Sequence, residues 1–132
     1  MAKVEKARQI VFTVTDKVGL LAGYTAALAQ AGVNIEALCA YASGKKATFM
    51  LVVDNHRKAA QVLKKSGVKK LCYEDVLLVK VPNRPGALNK VADKLASKKI
   101  NLKYTYATAS GKGSVVCVLG VASPKKAINA IS

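Results

Sequence analysis

The chain is short of histidine, cysteine and negative charge, and each shortage excludes something. Its 132 residues hold one His, three Cys and seven Asp plus Glu. His56, beside Asp54 and Arg57 at an expected helix start, reads as a solvated or capping group rather than a catalytic base. No carboxylate pair, nucleophile elbow or phosphate-binding loop is present, so no catalytic residue is assigned and no enzyme is expected. Cys39, Cys72 and Cys117 fall inside apolar runs without a CxxC, which predicts reduced, buried thiols and neither a disulfide nor a metal or cofactor site. No apolar run reaches transmembrane length, and residues 1–7 lack the apolar core of a signal peptide. The expectation is a soluble, cytoplasmic protein with no membrane partner.

The scarcity of acids leaves a formal charge of +15, from 22 Lys and Arg, on a 13.9 kDa chain. That is large enough to weigh as a nucleic-acid signal. All the basic residues except Arg8, Arg57 and Arg84 are lysine. They fall mostly where helix last turns and hairpins are expected, which suits the helix dipole and solubility without a partner. Lys45-Lys46, Lys64-Lys65, Lys69-Lys70, Lys98-Lys99 and Lys125-Lys126 therefore read as solvated faces. Nucleic acid is not the expected partner, and a basic nucleic-acid or polyanion-binding module is the alternative function.

What the chain does have is an internal repeat. Asp16-x-x-Gly19 recurs as Asn83-x-x-Gly86, 67 positions on. The same offset aligns Asn34 with Asn101, and Ser43-Gly44-Lys45 with Ser110-Gly111-Lys112, without a gap. This is a duplication, and it predicts two small domains, 1–74 and 75–132. Each is too small to bury much core alone, so the two are expected to share an interface.

Within the first copy, residues 8–15 alternate with Ile10, Phe12 and Val14 on one face, as in a half-buried strand. Residues 18–31 place Leu21, Tyr24 and Leu28 on one helical stripe, ended by Gly32. Residues 34–42 alternate again, Ser43-Gly44-Lys45 reads as a tight hairpin turn, and 47–53 is apolar almost throughout, as in a central strand. A second helix runs to about Lys65 with Asp54 or Asn55 as cap, and Val68–Glu74 reads as a short fourth strand. The order is βαββαβ. The second copy repeats it through Leu77, Val79 and Val81, the stripe Leu88, Val91 and Leu95, and strand 114–120, with Pro124 in the first turn of its last helix. By the offset of 67, Ser132 matches Lys65, so the final strand of the second copy is missing. That edge is either filled by a neighbouring segment or left open. Two split βαβ units give an α+β, ferredoxin-like sandwich in two tandem copies.

Many functions occupy such folds, so the site must decide. In each copy the polar-x-x-Gly turn leads strand one into helix one. The glycine lets the backbone approach a bound group, and the first helical N–H groups have no helical partner. Such an end attracts a carboxylate. Asp16 or Asn83 could then accept from an ammonium group, and Asn34 and Asn101, expected at the same sheet end, carry both donor and acceptor. A free α-amino acid presents that pair of groups. An Asx-turn with N-cap explains a single D-x-x-G without any ligand; two copies with both asparagines in register weaken that explanation. Tyr104 and Tyr106 share a strand face and read first as sheet packing.

Asn83-Arg84-Pro85-Gly86-Ala87-Leu88 followed by Ile100-Asn101-Leu102 resembles the signature of ACT domains. Asp16-Lys17-Val18-Gly19-Leu20-Leu21 with Gly32-Val33-Asn34-Ile35 resembles the same signature, with Asp for Asn. The likeness covers 8–132, and the whole is similar to small stand-alone tandem ACT proteins. It implies a non-catalytic regulatory protein that binds a free amino acid at the interface of two ACT units, placed side by side through strand two and helix one with a continuous antiparallel sheet. Carried over, the ligand-binding residues are Asp16, Gly19, Leu20 and Leu21 with Asn101 and Leu102, and Asn83, Gly86, Ala87 and Leu88 with Asn34 and Ile35. Ala87 stands where the first copy has Leu20, so the two pockets need not take the same side chain. The apolar central strands imply a homo-oligomer, and any regulated enzyme is another chain. An RNA-recognition module, a metal chaperone and a PII-like protein are disfavoured. The chain lacks, respectively, the aromatic third strand, the first-loop cysteine pair and the long loop between strands two and three.

Overall fold

The computed structural model describes residues 3–109 and 113–132. Six strands and four helices alternate as β1 (Lys3–Thr15), α1 (Leu20–Gln30), β2 (Ile35–Ser43), β3 (Lys46–Val53), α2 (His56–Lys65), β4 (Cys72–Pro82), α3 (Ala87–Ser97), β5 (Leu102–Ala109), β6 (Ser114–Val121) and α4 (Pro124–Ile131). The chain is α+β and carries the βαββα order twice, with β4 serving as the last strand of the first copy and the first strand of the second. Two compact units result: a first unit, Arg8–Glu74, and a second unit, Asp75–Ser132 with Met1–Ala7.

In the first unit β1 and β3 pair antiparallel with Phe12 opposite Phe49 and Thr15 opposite Lys46. Alternate residues Ile10 and Phe12, then Phe49, Leu51 and Val53, point to the side where Tyr24 and Leu28 of α1 and Ala59 and Leu63 of α2 close the core. Phe12 stacks on Phe49 at 5.2 Å, and the Tyr24 ring stands edge-on to both at the same distance. Each such pair adds about 0.5–1.5 kcal/mol beyond the area it buries. Of the two candidate caps for α2, Asn55 fills the role, its side chain accepting from the Lys58 N–H at 3.1 Å. The Ser43–Lys45 hairpin turn is present, with Gly44 at φ +62°.

The second unit repeats this arrangement. Leu77 lies opposite Leu119 and Val79 opposite Cys117, and Val91, Leu95, Ala127 and Ile131 cover them from α3 and α4.

Several expectations change. Strand one begins at Lys3 rather than 8, and residues 3–7 of β1 belong to the second unit. The strand order there is β5-β6-β4-β1. The edge left without a final strand is filled from the N-terminus, with Val4 packed against that unit's core. The strand expected over 68–74 starts only at Cys72 and runs without a break into strand one of the second copy, as β4. The repeat also does not hold one offset throughout. The helix-one caps Gly19 and Gly86 are 67 apart, whereas the helix-two caps Asn55 and Ser123 are 68 apart, as are the core pairs Leu51 and Leu119, and Leu63 and Ile131. One extra residue therefore enters between β5 and β6. Ser110-Gly111-Lys112, aligned to the hairpin of the first copy, lie outside the described residues. Finally, only Cys117 is a buried thiol, pushed above its ordinary pKa by desolvation; Cys39 is half-buried and Cys72 exposed.

Candidate functional site at the strand-to-helix turns

At the end of β1 the Asp16 N–H donates to the Lys45 carbonyl at 2.8 Å, closing the strand against the hairpin. Three residues on, Gly19 takes φ +92° and becomes the N-cap of α1. No side chain caps this helix, and its first turn holds no acid. The Gly23 N–H makes the first helical bond, to the Gly19 carbonyl at 2.9 Å, so the donors of residues 20–22 precede the helical ladder. The second unit builds the same corner: the Asn83 N–H donates to the Gly113 carbonyl at 2.8 Å, and Gly86 at φ +85° caps α3 without side-chain help. There the Ala87 N–H is turned back onto the Arg84 carbonyl at 3.2 Å.

The carboxylate of Asp16 and the amide of Asn83 are exposed, and neither makes a side-chain hydrogen bond among the described residues. Capping therefore does not account for the polar residue in either copy. Apolar groups beside it are also exposed: Val18 completely, Leu21 at 48% and Leu88 at 49%. Leu20 is half-buried against the core and Ala87 is buried. A shallow cavity of about 350 Å³ opens at the first turn, lined by Val18, Gly19, Leu20 and Tyr24, with Ser66 from the end of α2. A cavity of about 390 Å³ lies at the second, lined by Pro82, Arg84, Pro85, Ala87 and Lys90. Arg84 lies inside the motif already quoted; Ser66 reaches its cavity only through the fold and carries no sequence signal.

The asparagines lie elsewhere. Asn34 is fixed by its backbone, its N–H donating to Asp54 Oδ1 at 3.0 Å and its carbonyl accepting from the Asp54 N–H at 3.1 Å. That leaves the side chain exposed. Ile35 pairs with Val53 at the far end of β3, whereas Thr15 pairs with Lys46 at its start. Asn34 thus sits at the opposite end of the sheet from Asp16, not the same end, separated by the length of β2, about 25–30 Å. Asn101 stands likewise to Asn83: Leu102 pairs with Val121 and Pro82 with Ser114, the two ends of β6. Ile35 and Leu102, next to the asparagines, are half-buried against their own cores. The physical cause is the helix. A strand, a helix and a parallel strand must return the chain to the starting end before strand two begins. The structure brings Asp16, Gly19, Leu20 and Leu21 together, and Asn83, Gly86, Ala87 and Leu88 together, but no single unit joins a turn to an asparagine.

Among the described residues no group of three His, Cys, Asp or Glu could hold a metal ion, and no helix is long and apolar enough to cross a membrane.

Residues 8–65 match the family model of the ACT domain. Over those residues the chain is similar to the ACT domain. The match spans α1, β2, β3 and α2 of the first unit with the Asp16–Leu21 turn and Asn34, the residues that carry the signature. Over its whole length the chain is similar to a protein of Bacteroides thetaiotaomicron: 27% identity, TM-score 0.87, covering 96% of this chain and 87% of that one. It is similar in fold to the ligand-free regulatory subunit of aspartate kinase from Thermus thermophilus, at 16% identity and TM-score 0.73, covering 98% and 93%. It is also similar in fold to part of aspartokinase III of E. coli, solved in complex with lysine and aspartate, at 13% identity and TM-score 0.58, covering 98% of this chain and 31% of that one. No curated protein matches the sequence. The second unit, outside the family match, has the same element order and corner as the ACT domain and so extends the ACT pattern into a tandem.

Proposed function

We propose that the chain is a non-catalytic regulatory protein that binds a free amino acid at its ACT turns. The observation that carries this is the corner itself, built twice: a positive-φ glycine, a helix start without a side-chain cap and an exposed Asp or Asn whose side chain makes no hydrogen bond among the described residues. The helix start supplies donors and a positive field for a carboxylate. Asp16 or Asn83 accepts from the ammonium group, and the exposed Val18 and Leu21, or Leu88, offer apolar surface to the side chain. The asparagine that completes each site comes from another ACT unit, since turn and asparagine of one unit are a sheet length apart. A ligand held between two units stabilises one arrangement of them, and it signals by its difference in affinity for two states. That the aspartokinase relatives are regulatory subunits or are solved with amino acids supports the reading. The protein acts as a homo-oligomer and regulates an enzyme.

Asp16 accepts but does not donate, whereas Asn83 does both, so the two sites differ in affinity. Calorimetric titration of the effector into Asn34→Ala and Asn101→Ala proteins tests the arrangement. Each change should weaken one class of site about tenfold and leave the melting temperature within two or three degrees. Unaltered binding in both variants would remove the asparagines from the site.

A further inference from the structure

The outer side of α2 and the segment that follows it carry a second surface, independent of the amino-acid turns. Between Asn55 and Tyr73 there is no acidic residue, while Arg57, Lys58, Lys64, Lys65, Lys69 and Lys70 are all exposed and none is in an ion pair among the described residues. The sequence alone scatters these cations over a helix and a loop; the fold gathers them. α2 buries Ala59, Ala60 and Leu63 against the sheet. Arg57 and Lys64, and likewise Lys58 and Lys65, are seven residues apart, two turns along the opposite face and about 10 Å from each other. After the helix ends at Ser66 the chain doubles back: the Tyr73 ring comes to 5.6 Å from that of His56, the first residue of α2. The returning stretch therefore runs beside the helix, and Lys69 and Lys70 lie on it, between the two basic ends. The strip finishes at the Arg8 guanidinium, held 5.7 Å over the half-exposed Tyr73 ring. Helix α4, in the equivalent place of the second unit, keeps only Lys125 and Lys126.

We infer that this α2 strip binds the phosphodiester backbone of a nucleic acid, without regard to sequence. A row of lysines along a helix, spaced over about 15 Å and free of carboxylates, matches a linear array of phosphates, and each neutralised phosphate releases a counterion. The aromatic–cation group at one end supplies a ring and a fixed guanidinium against which a base can stack. An acidic protein surface presents charge of the same sign but offers nothing for that group.

The test is fluorescence anisotropy of a labelled sixteen-nucleotide single strand against the full chain, in a potassium chloride series from 50 mM. With four to six phosphates engaged, log K should fall against log salt with a slope of about −3 to −4, roughly a hundredfold between 50 and 200 mM. The K64E/K65E/K69E/K70E protein should bind at least a hundredfold more weakly at 50 mM, while Lys125→Glu with Lys126→Glu should change binding less than threefold. Should the quadruple variant not fold, Arg57→Gln with Lys58→Gln gives the same comparison with a smaller expected loss, about tenfold. Three results would overturn the inference. The first is no binding at 50 mM salt. The second is an equal loss in the α2 and α4 variants, which would assign the effect to the general charge of the chain. The third is competition by polyglutamate as effective as by unlabelled oligonucleotide, which would assign the face to an acidic protein. None of these bears on the amino-acid turns, which contain no residue of the strip.

Discussion

Gly19 and Gly86 hold φ of +92° and +85°, a region that costs residues with a Cβ about 1–2 kcal/mol. A Cβ at either position meets nothing within 4 Å, so the cost is confined to the backbone. Gly19→Ala and Gly86→Ala should each lower the urea midpoint by an amount worth about 1–2 kcal/mol, with an unchanged slope. They should also disturb ligand binding, because the N–H groups of the following helical turn are aimed by this conformation. A stability-neutral alanine at either position would show that the turn does not require it. Tyr24 reports on the first core in a different way. Its burial raises the phenol pKa above the ordinary 10.0. The folded state therefore holds its proton where the unfolded chain has lost it, so this contribution is intact below pH 10 and is lost as pH rises through the folded value. In a Tyr24→Phe protein the alkaline fall in stability should be shallower than in the parent, measured by urea denaturation between pH 9 and 11. Equal slopes would contradict the assigned burial.

Among the elements, the N-terminal strand is the most consequential and the least legible. Ile10, Phe12 and Val14 announce their strand by alternation, and Tyr24 and Leu28 announce α1 by helical spacing; both follow from which face meets the core. Residues 3–7 read Lys-Val-Glu-Lys-Ala, with a single large apolar group, and their strand character comes from the edge they lie on rather than from their own pattern. The pattern of the second copy offers two alternatives, a filled edge or an open one, and does not say which segment would fill it. Deleting residues 1–7 should raise hydrogen exchange in β4 and β6 of the second unit at least tenfold while leaving β3 of the first unit protected. Equal exchange throughout would mean that the strand adds no stability there. The change of offset from 67 to 68 is hidden because the two Ser-Gly-Lys turns align perfectly as letters; the pairing of β6, with Val79 opposite Cys117, and the helix-two caps expose the extra residue. The position of Asn34 was misplaced for a geometric reason. Strand two starts at the end to which helix one has returned the chain, not at the end where strand one stopped.

At the scale of the whole molecule, a duplicated ACT-like fold whose two corners lack side-chain caps leads to one claim above the rest, the proposal that a free amino acid binds it. The residues of both corners were legible because motif and repeat coincide. The partner of each corner was not, since it depends on how units assemble. The most direct measurement is a thermal-shift panel of the twenty amino acids at moderate salt, on protein first dialysed after mild denaturation and refolding to empty its sites. A ligand at a hundred times its dissociation constant adds about 2.7 kcal/mol, several degrees for domains of this size. The account predicts a rise with one amino acid or a few of related side chain, halved or lost in the Gly19→Ala and Gly86→Ala proteins. A flat panel on emptied, refolded protein would contradict it.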